Sequence, residues 1–308
     1  MRSRRHERER IAALDPERNY FEIFRFMATR DLGWEHRSGL NLAFYRIFAV
    51  PHMAKLLVHT GHIQAAPIKR TYDTGLLMYD LSYHGPEHPR GREVIRKINA
   101  MHRRWDIANE DHLYVLSAIA VLPLRFMDDF GWRSPTRQER QANFAFYRRV
   151  GELLGIRELP STGAEFERLF DEYEAKQLAF SDEGRQLFRA TQTVVADWFP
   201  GPLGVLADPF TKVILGDEVS RCLGQTPAPT WTRGLVRGAL TVRRLAIRHT
   251  PIESRSLITP GDPVGPYESG YALDVLGAEE AVATHGSSLP SVGTDTRVGD
   301  PGHSVDRR

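Results

Sequence analysis

An all-α fold is what this sequence predicts, and three observations lead to it. Apolar residues recur at helical spacing from Asn19 to about His249. No series of alternating apolar and polar residues marks a set of strands. No segment repeats at a fixed period, which excludes solenoids and propellers. A chain of 308 residues has room for one large domain or two modest ones. The pattern favours one: a helical domain of about ten helices over 19–249, after a flexible basic N-terminus (1–18) and before a Gly/Pro-rich arm and tail (250–308).

The elements follow in order. The first ten residues hold five arginines against two glutamates and no apolar run. That is a solvated basic start, not a signal peptide, whose charges precede an apolar stretch. From Leu40 to His62, residues such as Leu42, Tyr45, Phe48, Met53 and Leu57 share roughly one helical face, and Pro51 implies a break. Helices are expected over Ile68–Tyr83 and Arg90–Asp106, separated by the turn-rich Gly85-Pro86-Glu87-His88-Pro89. Asp111–Phe130 comes next. Thr136, with Glu139 three residues on, has the form of a capping box opening a helix to Leu154. Gly155 and Pro160 punctuate the passage to Gly163–Phe180. Asp182–Phe199, Gly204–Leu223 and Thr230–Arg248 complete the helical series. The last 59 residues carry 8 Gly and 6 Pro, a composition that approaches the disordered regime. Tyr267, Tyr271, Leu273 and Leu276 can anchor this segment as an extended arm to about Gly277, with no fixed structure expected beyond Ala278.

Composition narrows the function classes. Lys+Arg 41 against Asp+Glu 39 gives a net charge of +2, so no global field marks a nucleic-acid binder. The single cysteine, Cys222, excludes an internal disulfide framework, an Fe–S cluster on four cysteines and a Cys-rich zinc site. The most apolar run, Leu113–Met127, is fifteen residues long and contains Pro123 and Arg125. It is shorter than the ~20 residues a bilayer span needs, so the chain reads as soluble and cytoplasmic, without a transmembrane segment. Membrane contact through the basic start alone would lack the second signal that stable anchoring takes. No Walker loop, GxGxxG, GxSxG or HExxH occurs, nor the ExxH pairs of a di-iron bundle.

Histidine is what remains. His52, His59, His62, His102 and His112 all fall inside expected helices. His59 and His62, three apart, can share a metal, although no carboxylate is near them in sequence. Ile95, Ile98, Asn99, His102 and Trp105 or Asp106 form one stripe. A histidine there suits a buried axial ligand, or equally a core histidine bonded to a carboxylate. Arg70, Asp73 and Thr74 stand at i, i+3 and i+4 and so project from one face, as they would in an ordinary ion-paired first turn.

Read together, these segments resemble the family of MpaB-type oxygenases and bacterial rubber oxygenases (latex-clearing proteins). The resemblance runs from about Tyr45 to Glu174. It is carried by Tyr45-Arg46-Ile47-Phe48-Ala49-Val50-Pro51, Lys69-Arg70-Thr71-Tyr72-Asp73-Thr74 and Asn99-Ala100-Met101-His102. Ile107-Ala108-Asn109-Glu110-Asp111-His112-Leu113-Tyr114, Phe130-Gly131-Trp132-Arg133 and Gly151-Glu152-Leu153-Leu154-Gly155-Ile156 continue it in family order. The resemblance implies a globin-like helical core holding heme b, with His102 as proximal iron ligand. Arg70 and Thr74 match the arginine and threonine of a distal Arg-x-x-Lys-Thr motif, while Asp73 stands at its lysine. On this reading Arg70, Asp73 and Thr74 are the catalytic residues: Arg70 meets dioxygen or a heme propionate, Asp73 relays a proton or holds Arg70, and Thr74 positions a water. Arg46, Arg103 and Arg125 are further candidates for the propionates. The implied reaction is oxidation or cleavage, with O2, of a C=C bond in an apolar, isoprenoid-like small molecule. The alternative is a non-catalytic binder of heme or of a lipophile.

Overall fold

The structure, a computed structural model, describes residues 4–196, 204, 206–248 and 256–277. Its regular elements are helices, and among the described residues the only bridge of β type joins Val264 to Tyr267. The all-α expectation therefore holds. The chain runs through α1 (Arg4–Ala12), α2 (Tyr20–Phe26), a π turn (Met27–Asp31), α3 (Gly33–Phe48), α4 (Pro51–Thr60), α5 (His62–Ala65), α6 (Pro67–His84) and α7 (Pro89–His102). It continues with α8 (Asn109–Phe130), α9 (Arg137–Leu154), α10 (Gly163–Gln177), α11 (Asp182–Thr191), α12 (Thr193–Ala196), α13 (Ala207–Leu215), α14 (Asp217–Cys222) and α15 (Thr230–Arg248). No helix among the described residues is long and apolar enough to cross a membrane.

These segments are shorter and more numerous than the ten expected, and the breaks have local causes. Pro51 opens α4 behind an extended Val50, as its fixed φ and missing N–H allow. Gly61 (φ 71°) separates α4 from α5, and Gly216 (φ 82°) divides Gly204–Leu223 into α13 and α14. The expected capping box is present, with Thr136 accepting from the Glu139 amide and Glu139 from the Thr136 amide. α10 stops at Gln177 because the next residues turn back on the core, where the Ala179 amide donates to Ala49 O at 3.0 Å. Residues 197–199 of the expected Asp182–Phe199 helix lie outside the described residues.

The two ends differ from each other. Residues 4–12, expected as part of a flexible basic start, form a helix whose Ile11 is buried, and Gln138 on α9 donates to Leu14 O. The reading from the first ten residues stopped one short of Ile11. The arm is ordered where its apolar residues place it: Tyr271, Leu273 and Leu276 are all buried. The expectation for Ala278 onward lies outside the described residues.

The centre of the bundle is the crossing of α3 and α8. A Cβ built on Gly39 would stand 2.2 Å from Pro123 Cα and 2.6 Å from Pro123 N, so the two backbones touch with no side chain between them. Pro123 suits this contact, since it presents no N–H to the approaching helix. Around it pack Phe24, Phe48, Tyr45, Phe146, Tyr147 and Phe188, all essentially inaccessible to solvent.

Several charged groups enter this core as pairs. Arg133 donates to Asp31 Oδ2 from Nε (2.9 Å) and Nη2 (2.6 Å), and to both Glu139 oxygens (2.7 and 2.6 Å). Glu35 receives Arg243 from α15 at 2.7 Å. Such pairs resist rearrangement, because removing one partner strands a buried charge.

Two outcomes follow for stability. Gly39→Ala forces α3 and α8 apart and lowers stability by about 1–3 kcal/mol, the usual cost of overpacking; an unchanged thermal midpoint would refute the contact. His36 is fully buried, its Nε2 3.3 Å from Tyr147 Oη, and burial pushes its pKa from 6.5 to about 3. Below pH 6.5 the unfolded chain therefore binds a proton that the folded one does not, so stability falls as the pH drops toward 3, by up to about 1.4 kcal/mol per unit. Urea midpoints from pH 7 to pH 4 should decline more steeply for the wild type than for His36→Gln, and parallel declines would discount this histidine.

Candidate functional site

α6 and α7 carry the residues singled out by sequence. α6 begins at Pro67, and the Arg70 amide is the first to bond back past that proline, to Ala66 O at 2.9 Å. One turn on, Thr74 Oγ1 accepts from Arg70 Nη1 and donates to Arg70 O at 3.1 Å. This couple fixes the guanidinium along its own helix. The hydrogen bond to Thr74 is the one that Arg70's side chain makes among the described residues, and no carboxylate pairs with it. Burial lowers its pKa, with Asp73 opposing from a distance. A half-buried guanidinium with most of its five N–H donors unused by the protein is a ready receptor for an anionic or oxygen-bearing ligand.

His102 is the last residue of α7. The helix stops there, four residues short of the expected Asp106, because α8 must begin at Asn109. Asn109 is pinned to the loop before α10, donating to Arg157 O (3.1 Å) and accepting from the Arg157 amide (2.9 Å). Trp105 thus leaves the predicted stripe and sits in the turn, with its ring against His59. The stripe behind it packs as expected, with Ile95 and Ile98 buried and Asn99 Nδ2 donating to Leu153 O at 3.3 Å.

The reversal between α7 and α8 brings His112 to His102, their ring centroids 5.2 Å apart. His102 is open to solvent, yet protein burial, His112 and the Arg70 charge together push its pKa down to about 4. The pKa values of His112 and His62 are also lowered, chiefly by burial, and for His62 further by Arg70 and Arg104. Arg70, His62, His102 and His112 therefore form one electropositive cluster holding neutral imidazoles. Sequence reasoning counted His112 and His62 among helical histidines without joining them to His102. The signal available was the short turn, which folds two histidines ten positions apart onto each other.

Asp73 stands elsewhere. Lys69 Nζ (3.0 Å), the Gly277 amide (2.9 Å) and the Tyr267 hydroxyl all donate to it. It is buried, and every one of these partners belongs to its own helix or to the arm. Its hydrogen bonds go to Lys69 and the arm and not to Arg70, on which it acts only through its charge. Asp73 lies about 100° around the helix from Thr74, and the arm fills its side. Lys69 also donates to Val275 O (3.1 Å), and Lys97 on α7 donates to Leu273 O (2.8 Å) and Asp274 O (2.9 Å). The arm thereby clasps α6 to α7.

Two of the three further arginine candidates are also committed elsewhere. Arg46 pairs with Glu174, which accepts from Tyr114 as well, and Arg125 makes a bidentate pair with Asp171 at 2.8 and 2.8 Å. Arg103, beside His102, is exposed. His59 and His62 do not join a metal centre: no group of three or more His, Cys, Asp or Glu among the described residues is placed to hold one. A separate cavity of about 330 Å³ lies between α8, the loop before α10 and α10, lined by Glu110, Leu113, Tyr173 and their neighbours, and includes none of Arg70, Thr74, His102 and His112.

Removing the Asp73 carboxylate tests its role. Asp73→Ala should speed hydrogen exchange at the Gly277 amide at least about tenfold, since that amide loses its acceptor, while protection in α3 and α8 persists. Unchanged exchange there would show that the arm is held by its apolar residues alone.

The profile of the family described as "ER-bound oxygenase mpaB/B'/Rubber oxygenase, catalytic domain" matches residues 38–245. The chain is 26% identical over 261 residues to the ER-bound oxygenase mpaB' of Penicillium brevicompactum, covering 79% of this chain and 61% of that protein. It is 25% identical over 234 residues to the ER-bound oxygenase mpaB of Penicillium roqueforti, covering 70% of this chain and 78% of that one. The match thus spans about three fifths of the length of the Penicillium brevicompactum relative. Among solved structures, the latex clearing protein LCP in the closed state superposes with a TM-score of 0.44 at 17% identity, over 79% of this chain and 70% of that one.

Proposed function

The chain belongs to the family of the mpaB/B' and rubber oxygenase catalytic domain, and we propose that it is a heme-dependent oxygenase acting with O2 on a small apolar molecule bearing a C=C bond. The observation that carries this reading is the exposed His102 ring set against His112, their centroids 5.2 Å apart, within the field of a half-buried Arg70 whose guanidinium is held by Thr74 and by no carboxylate among the described residues. The residues present fit a heme b. His102 offers an imidazole lone pair at neutral pH, and Arg70 has donors free for a propionate or for an oxygen ligand, with exposed Arg103 as a second cation. When bound, the heme would supply iron for dioxygen activation.

The chain's own residues supply position and polarity. Thr74 holds the Arg70 guanidinium through its hydroxyl, so that the charge is oriented before any ligand arrives. Asp73 is a positioning residue here rather than a catalytic one, acting through the clasp of the arm on α6. For cleavage, one alkene and one O2 give two carbonyl products, each carbonyl taking one oxygen atom. The relatives are named oxygenases, which supports this class of reaction.

A second reading has its own observation. Asp73, at the lysine position of the rubber-oxygenase motif, is engaged by the arm and leaves no side chain of that kind beside Arg70 and Thr74. On that reading the protein binds heme or a lipophile without turning it over.

The test is spectroscopic first. Protein reconstituted with heme should show a Soret band that His102→Ala loses; absence of a band in the reconstituted wild type would refute the heme reading. Arg70→Ala should keep the band while product formation from a prenyl alkene, O2 and reductant falls about 10²-fold. A Soret band with no product from any such alkene would favour the binder.

A further inference from the structure

α15 presents to solvent a face that the rest of the fold does not use. Trp231 (72% exposed), Leu235 (56%), Val242 (67%) and Leu245 (53%) are half of the large apolar residues most exposed in the described structure, and all lie on this helix. Their spacing of 4, 7 and 3 residues puts them on one stripe. Gly234 and Gly238 lie between them, and a Cβ on either would meet nothing within 4 Å. The opposite face, with Thr232 and Leu240, is buried, and Arg243 ties it to the bundle through Glu35. The stripe is therefore not a core face lacking its core.

Charge identifies the occupant. The helix contains no Asp or Glu and five arginines. Arg233 pairs with Asp217 and Arg243 with Glu35. Arg237, Arg244 and Arg248 are exposed, pair with no carboxylate among the described residues, and follow one edge of the stripe. An apolar strip containing tryptophan and flanked by free arginines matches the boundary of an anionic lipid bilayer, with acyl chains for the strip and headgroup phosphates for the guanidinium groups. Two copies of the chain face to face would bring these arginines together, which argues against self-association through this surface. The basic α1 lies at the same end of the molecule. Its Arg8 stacks on Trp132 at 5.5 Å, and the Trp132 amide donates to the same Glu35 that holds Arg243.

We propose that the exposed face of α15 seats this protein on anionic lipid surfaces, with the helix lying in the interface and not crossing it. At 19 residues the helix is about 28 Å long, enough to lay the whole stripe along the membrane plane. This inference is independent of the heme reading, and its test needs no activity.

The full chain is sedimented with vesicles of phosphatidylcholine alone and of phosphatidylcholine mixed with phosphatidylglycerol. Binding should require the anionic lipid and weaken with salt. Replacing Trp231, Val242 and Leu245 together by Ser should reduce partitioning more than about tenfold. Each of Arg237→Gln, Arg244→Gln and Arg248→Gln should reduce it about fivefold. Circular dichroism and thermal midpoints should not change, since these side chains face solvent. The wild type should show a vesicle-induced blue shift in tryptophan fluorescence that Trp231→Phe abolishes. The proposal is overturned if the wild type ignores anionic vesicles, or if the triple serine variant binds them equally well. It is overturned in favour of a second copy if light scattering finds a dimer that the serine variant dissociates.

Discussion

Contact between two backbones at the α3–α8 crossing is the constraint on which the rest of the molecule depends. Where Gly39 meets Pro123, neither helix can rotate or slide without driving main-chain atoms together. Once that point is fixed, α3 delivers His36 to Tyr147 and Tyr45 to Thr191 O, and α8 sets its first turn, with Asp111 and His112, at the other end. The site is therefore located indirectly: His112 is placed by α8, and His102 is brought to it by a turn that has only residues 103–108 in which to reverse. A close crossing of this kind transmits shifts rather than absorbing them, because the interior has no compressible volume.

The quoted motifs divide into those that hold helices together and those gathered around His102. Arg46 with Glu174 and Tyr114, Asp111 with Tyr173 and His52, Asn109 with Arg157, and Arg133 with Asp31 and Glu139 are all closed networks between elements distant in sequence. Each satisfies its charges internally, as burial demands. The cluster at His102 is built on the opposite principle. Its imidazoles are kept neutral by desolvation, and its guanidinium has a hydroxyl as partner in place of a carboxylate. Arg133 and Arg46 meet carboxylates, whereas Arg70 meets only the Thr74 hydroxyl among the described residues and keeps donor capacity for a ligand.

Helical periodicity and punctuation made most of this architecture legible. The capping box at Thr136, the break at Pro51 and the arm anchored by Tyr271, Leu273 and Leu276 each rest on local chemistry that sequence displays directly. The misreadings share a different cause. Helical spacing groups Asp73 with Arg70 and Thr74, but a spacing of three residues still leaves a wide angular range. The partners that decide the side of Asp73, Tyr267 and Gly277, lie some two hundred positions away. The end of α7 at His102 is likewise set from a distance, by the lock between Asn109 and Arg157. The docking of α1 depends on Trp132 and Gln138. Local propensity names the elements, whereas tertiary partners decide where they stop and which side faces what.

The identity of residue 73 then acquires a physical meaning. A lysine there would put a second ammonium one turn from Lys69, so the carboxylate of Asp73 is what allows Lys69 to fold back along the helix and reach Val275 O. The same carboxylate accepts from the arm at Tyr267 and Gly277, and Lys97 extends the attachment to α7. Asp73, on the helix of Arg70 and Thr74, thus serves as the keystone of a clasp between the two helices that carry Arg70 and His102. The distance between those helices is held by this clasp at one end and by the α3–α8 crossing through α8 and the short turn at the other. The placement of Arg70 and Thr74 relative to His102 follows from both.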